Sequence, residues 1–216
     1  MVTNIFVRAG IFTVIVLIAW FLLSTALEGE RNTLLLGKID TVIAEESAVG
    51  AYLDYLESTG NVERYCHVLE EHIQIQNERL FSLLALLDEA RQNSLQNQYP
   101  VVRQRFQSAN ARLFFSLQTY NYKCPATDQL KQPILYFFPD NMPCSDCLLQ
   151  AQILDEIRDT CSTPIQIFAF PVEGGIETVE LLVKDYGIET TPSLVINNEV
   201  LKGVQSKGGL MQLLNC

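Results

Sequence analysis

Positive charge is scarce in this sequence. Lysine and arginine total 15 against 25 aspartates and glutamates, for a formal net charge of -10 and a pI near 4.6. No Lys/Arg cluster interrupts that balance. An acidic surface repels phosphate backbones, which argues against a nucleic-acid partner. Histidine is rarer still: only His67 and His72 are present. They stand five apart, poor helical spacing for shared metal ligation. Cys144 and Cys147 lack the second CxxC-like pair that a zinc ribbon needs. No glycine-rich phosphate loop follows a strand-like run, so nothing points to a nucleotide or flavin. No metal and no cofactor are expected beyond the cysteines themselves.

What is present is apolar. Hydrophobic residues make up 48% of the 216 and charged residues 19%. That is globular or membrane material, long enough for one ordinary domain and a smaller unit. The six cysteines are Cys66, Cys124, Cys144, Cys147, Cys161 and Cys216. An even count fits three disulfides in an oxidising compartment. The CxxC at 144–147 is a pattern that chance supplies readily, so its surroundings must carry any reading of it.

From Ala9 to Leu27 there is no charged residue, with Arg8 before the run and Glu28 and Glu30 after it. Nineteen helical residues span about 28 Å, close to the hydrocarbon thickness of a bilayer. The expectation is a transmembrane helix over 9–27, with residues 1–8 cytoplasmic and the C-terminal domain extracytoplasmic. The alternative is a signal sequence cleaved near Ser24-Thr25-Ala26, giving a secreted protein.

Residues 28–122 read as a helical hairpin or bundle. Leu34, Leu35, Ile39, Val42, Ile43 and Leu53 recur at near-helical spacing until Ser58-Thr59-Gly60-Asn61 breaks the pattern. A second helix is expected from Val62 to about Gln96, and a third begins at Tyr99-Pro100. The region is either a packing platform or a docking surface. Cys66 lies near the start of the second helix and Cys124 just after the third. In an antiparallel pair those ends coincide, so a Cys66–Cys124 disulfide is expected, restricting the unfolded chain by roughly 3–4 kcal/mol. Unrelated buried thiols are the alternative.

Composition changes at Lys131-Gln132-Pro133. Ile134–Phe138 is a continuous apolar run, the mark of a strand buried on both faces. Pro139–Pro143 leads to Cys144-Ser145-Asp146-Cys147, then a helix to about Thr160. Ile165–Phe170 reads as a strand, Glu177–Tyr186 as a helix, Ser193–Ile196 as a strand. Asn197-Asn198 forms a tight turn into Glu199–Lys202, and Ser206 opens a last helix. This order, β-α-β-α-β-β-α over residues 131–216, resembles the thioredoxin fold. The CxxC falls where that superfamily places its active site. Tyr186–Ile196 is similar to the family's cis-proline segment, here Thr191-Pro192. The resemblance implies an α/β fold with a central mixed sheet and flanking helices.

It also implies chemistry. A thiolate attacks disulfides. Cys144, ahead of the helix, gains from its unpaired N–H groups, and Cys147 resolves the mixed disulfide. Pro192 would lie against the cysteines and the Thr191 backbone would pair with extended substrate. Ser145 and Asp146 tune the pair, because a carboxylate beside Cys144 disfavours its thiolate. Pro143 stands where a tryptophan often precedes the first cysteine. Tyr136 is the nearest match to the buried acid of thioredoxin itself. In this topology Cys161 and Cys216 lie at the same end of the sheet, the end far from the CxxC, and a structural disulfide between them is expected, with free thiols as the alternative.

The expected function is thiol–disulfide oxidoreduction by an anchored, extracytoplasmic enzyme. Its partners would be protein dithiols or disulfides and a membrane redox protein. The alternative is a non-catalytic thioredoxin-like module in which Cys144–Cys147 is a static staple.

Overall fold

The computed structural model describes residues 13–21, 46–92, 99–124, 131–140 and 143–216. Two compact units divide the chain, one ending at Thr59 and one beginning at Gly60.

In the first unit, residues 13–21 and 46–58 (α1) are helical. The stretch 13–21 is apolar and exposed. Its nine residues rise about 14 Å, half of a hydrocarbon layer of about 30 Å. Among the described residues no helix is long and apolar enough to cross a membrane. The expected transmembrane helix over 9–27, and the single-pass placement built on it, are therefore corrected. The remainder of 9–27, residues 1–8 and the Ser24–Ala26 cleavage site lie outside the described residues.

The second unit contains α2 (Val62–Gln92), α3 (Tyr99–Lys123), β1 (Gln132–Phe138), α4 (Ser145–Thr160), β2 (Ile165–Pro171), α5 (Glu177–Asp185), β3 (Ser193–Ile196), β4 (Glu199–Lys202) and α6 (Lys207–Leu213). The four strands form one mixed sheet in the order β2-β1-β3-β4. β2 runs parallel to β1; β3 is antiparallel to both β1 and β4. β1 is buried from Pro133 to Phe137, as its unbroken apolar run demands, and β3 is buried throughout. β3 pairs with Leu135–Phe137 only, so the missing N–H of Pro133 falls outside that ladder. The β3–β4 hairpin turns at Asn197 and Asn198, both at positive φ, a conformation asparagine tolerates better than most residues.

Strand alternation sorts the core into two layers. Ile134, Tyr136, Leu194 and Ile196 face α4 and α6, where Leu154, Ile157, Leu210 and Leu214 meet them. Phe168, on the other side, packs edge-on against Phe114 of α3, with ring centroids 5.5 Å apart. Burying a phenylalanine contributes about 1.5–3 kcal/mol, and Phe137, Phe168 and Phe170 are all fully buried. α3 also protects the outer edge of β2: Asn110 Nδ2 donates to Ala169 O at 3.2 Å.

The expected α/β class is corrected accordingly. The described residues are mostly helical: they hold seven helices, two in the first unit and five in the second, and one small four-stranded mixed sheet. The long helices α2 and α3 outweigh the sheet, and α3 is one of the sheet's covering layers.

Candidate active site

Three disulfides join all six cysteines. Cys66 bonds Cys124 across a sequence separation of 58, tying the start of α2 to the end of α3. Cys161 bonds Cys216, tying the end of α4 to the chain's last residue. Cys144 bonds Cys147. The first two sit at element ends. The third lies at the point where the chain leaves β1 and enters α4.

β1 delivers this site. Its last residue, Phe138, precedes the short segment that reaches Cys144. Cys144 has extended backbone and is the N-cap of α4. Its Sγ accepts a hydrogen bond from Cys147 N at 3.1 Å, and Leu148 N donates to Cys144 O at 3.1 Å. The sulfur thus occupies the place that a serine or aspartate oxygen takes at a helix start, facing orphan amides and the positive end of the helix dipole. Cys144 is part-exposed; Cys147, one turn in, is buried. Ser145 and Asp146, between them, are exposed. Cys144 is therefore the more exposed residue of the pair and Cys147 the more buried.

The peptide bond between Thr191 and Pro192 is cis. It opens β3, where Ser193 pairs with Phe137. Continuing that antiparallel register by one residue sets Pro192 opposite Phe138, at the end of β1 from which Cys144 is reached. Pro192 is buried and Thr191 part-exposed. Pro192 O accepts from Gly203 N at 2.8 Å and Ser193 Oγ donates to Thr190 O at 2.6 Å, which fixes the backbone on either side of the proline.

Two supporting residues escaped the sequence reading in part or whole. The sequence marks Tyr136 only as the nearest match to a buried acid. Its Oη donates to Cys147 O at 2.8 Å, a buried bond from the central strand to the first turn of α4. Burial pushes its phenol up to about 12, so it stays protonated in neutral solution. Gln150 was missed. It is fully buried on α4, and its Oε1 accepts from Gln205 N at 2.6 Å, joining α4 to the segment before α6. Its signal was available: a polar residue on the inward stripe of Cys147, Leu154 and Ile157.

His67 and His72 remain apart in role. His67 pairs loosely with Glu71, and His72 Nε2 lies 2.8 Å from Gln76 Nε2. Among the described residues no cluster of three or more metal-ligating side chains exists.

No known family and no curated protein matches the chain by sequence. Solved structures similar to part of it include one described as "Structure of a malarial protein". It is 20% identical, covers 39% of this chain and 94% of that chain, with a TM-score of 0.31. Another is the "Solution Structure of the oxidised Thioredoxin from Plasmodium falciparum", at 19% identity, 40% and 81% coverage, and a TM-score of 0.30. The chain's own topology carries the fold assignment. Strand order β2-β1-β3-β4, a CxxC opening the helix after β1 and a cis-proline opening β3 give residues 132–216 a thioredoxin-like fold. The disulfides fit a redox module on that fold.

Proposed function

We propose that this chain is a thiol–disulfide oxidoreductase acting on protein dithiols or disulfides, with Cys144 as nucleophile and Cys147 as resolving cysteine. The observation that carries this reading is the asymmetry of the pair. Cys144 is part-exposed with its sulfur on an α4 amide, while Cys147 is buried behind it. A staple needs no such arrangement; an exchange centre does, because attack must occur at one chosen sulfur.

In the reduced protein the Cys144 thiolate attacks a substrate disulfide. A Cys144–substrate S–S bond forms, and the substrate's other sulfur leaves as a thiolate and takes a proton. Cys147 then loses its proton, attacks Cys144 Sγ and expels the second substrate thiolate, closing Cys144–Cys147. Two electrons pass from the protein to the substrate, which takes up two protons. Every step is reversible, so the oxidised protein accepts electrons from a dithiol of lower potential. Thr191, before the cis-proline, offers its backbone to an extended substrate strand. No cofactor takes part.

The test is a redox titration of Cys144–Cys147 in glutathione or dithiothreitol buffers, with Cys144→Ser as control. A reversible two-electron transition between about -120 and -270 mV is expected. A pair that stays oxidised below about -300 mV, and whose reduction unfolds the domain, would replace this reading with the static staple.

A further inference from the structure

A second feature of the same unit has the makings of a binding site. The last turns of α2 and the first turns of α3 stand off the ends of β1 and β2 and enclose about 780 Å³. Leu84, Leu87, Phe106 and Phe138 supply apolar walls. Gln107 also lines the space; it is 6% exposed, and its Oε1 has no hydrogen-bond partner. No protein group donates to this buried acceptor, so it is available to a donor on an occupant of the cleft.

Its charge is as particular. Arg91, Arg103 and Asp140 line it. Arg103 is bound to Asp140, which leaves Arg91 without a carboxylate partner among the described residues. On a chain of formal charge -10, a cleft with two guanidinium groups and one carboxylate is a local attractor for acidic groups.

The occupant must therefore bring an apolar body, a hydrogen-bond donor for Gln107 Oε1 and a negative charge for Arg91. An extended polypeptide segment with apolar side chains and an acidic residue has all three, its main-chain N–H being the donor. Two of its lining residues connect it to the segment and helix that carry the disulfide. Phe138 in its wall stacks on Tyr136 with centroids 5.5 Å apart, and Tyr136 holds Cys147 O. Asp140 lies in the segment leading from β1 to Cys144. We propose that the cleft seats an apolar, acidic-residue-bearing segment of the polypeptide whose cysteines react at Cys144, an inference that rests on the redox reading for the identity of its ligand.

The experiment is fluorescence polarisation on the full chain with a labelled peptide of eight apolar residues and one glutamate, containing no cysteine. Such a peptide cannot exchange disulfides, so it reports the cleft alone. Saturable binding is expected, equal within about two-fold in wild type and Cys144→Ser. About ten-fold weakening is expected in Arg91→Glu, with recovery when the peptide's glutamate becomes lysine. Leu84→Asp, at an exposed position, is expected to weaken binding as much. Thermal melts on both variants show that they fold. Absence of saturable binding, or binding undiminished in both folded variants, overturns the proposal. A second arm uses a disulfide-bearing form of the peptide as substrate, and Arg91→Glu is expected to lower its kcat/KM through KM. Peptide binding without any exchange retains the cleft and overturns its assignment to a redox substrate.

Discussion

Tyr136 reaches from the central strand to the helix that carries the cysteines, its hydroxyl donating to Cys147 O at 2.8 Å in a buried contact. The carbonyl sits in the first turn of α4, so this bond ties the backbone of Cys147 to the buried strand β1. Removing the hydroxyl with Tyr136→Phe is expected to lower unfolding stability by about 0.5–1.5 kcal/mol, the net worth of one buried hydrogen bond. The pH dependence follows from burial, which raises the phenol from 10.0 to about 12 in the folded protein. The unfolded state loses its proton first. The contribution is therefore complete below about pH 10 and is lost as pH rises through about 12. Urea midpoints measured from pH 8 to 12 check this: the wild type should lose stability in the upper window and Tyr136→Phe should lose less. Parallel curves would contradict it.

Asp146 places a carboxylate between the two cysteines, exposed beside the N-cap sulfur. Its charge opposes a thiolate on Cys144, against the pull of the α4 amide. Replacing it with asparagine removes that opposing charge and should favour the Cys144 thiolate, with solvent screening limiting the effect. A better stabilised thiolate favours the reduced pair, so the potential should rise. The measurement is the pH profile of iodoacetamide alkylation in the reduced protein, with the potential alongside. A wild-type potential as high as about -120 mV would contradict the less oxidising character expected of this site.

The thioredoxin-like part was legible because its signals were local. The apolar run Ile134–Phe138 could only be a doubly buried strand, the Asn197-Asn198 pair marked its hairpin, and Cys144-Ser145-Asp146-Cys147 marked a helix start. What stayed hidden was long-range. Helical periodicity in 99–123 does not say which surface Phe114 and Asn110 meet, and those residues contact Phe168 and Ala169 across more than fifty positions. The composition change at residue 131 therefore does not mark an edge of the packing. The charge-free run over 9–27 shows the opposite error: hydropathy alone suggested a span that no described helix makes.

The three disulfides should open in order. Cys144 is part-exposed, whereas Cys66 and Cys124 are 9% and 7% exposed. A thiolate reductant must reach the sulfur it attacks. Graded dithiothreitol followed by alkylation and mass spectrometry should label Cys144 and Cys147 first and Cys66 and Cys124 last. Replacing Cys66 and Cys124 by alanine frees a loop with a separation of 58 and should lower stability by roughly 4 kcal/mol. The Cys144–Cys147 potential should move little, because the lost bridge lies outside the site. Labelling of Cys66 ahead of Cys144 would contradict the order.

Arg103 on α3 and Asp140 just past β1 form an ion pair that is 24% and 14% exposed. It is shielded enough to matter in a way that surface pairs do not. It also joins a covering helix to the segment that carries the chain toward Cys144. Asp140→Asn should cost about 1–3 kcal/mol, because the guanidinium then stays shielded without its counter-charge. Arg103→Lys keeps the charge but loses the planar fork, so it should recover only part of the stability. A double-mutant cycle with Arg103→Ala and Asp140→Ala should give a coupling of about 1 kcal/mol or more in urea unfolding. Amide hydrogen exchange should rise in the segment between β1 and α4 in Asp140→Asn while the β3–β4 hairpin is unchanged. A coupling near zero, with exchange unaltered, would mean that α3 is held on the sheet by Phe114 and Asn110 alone.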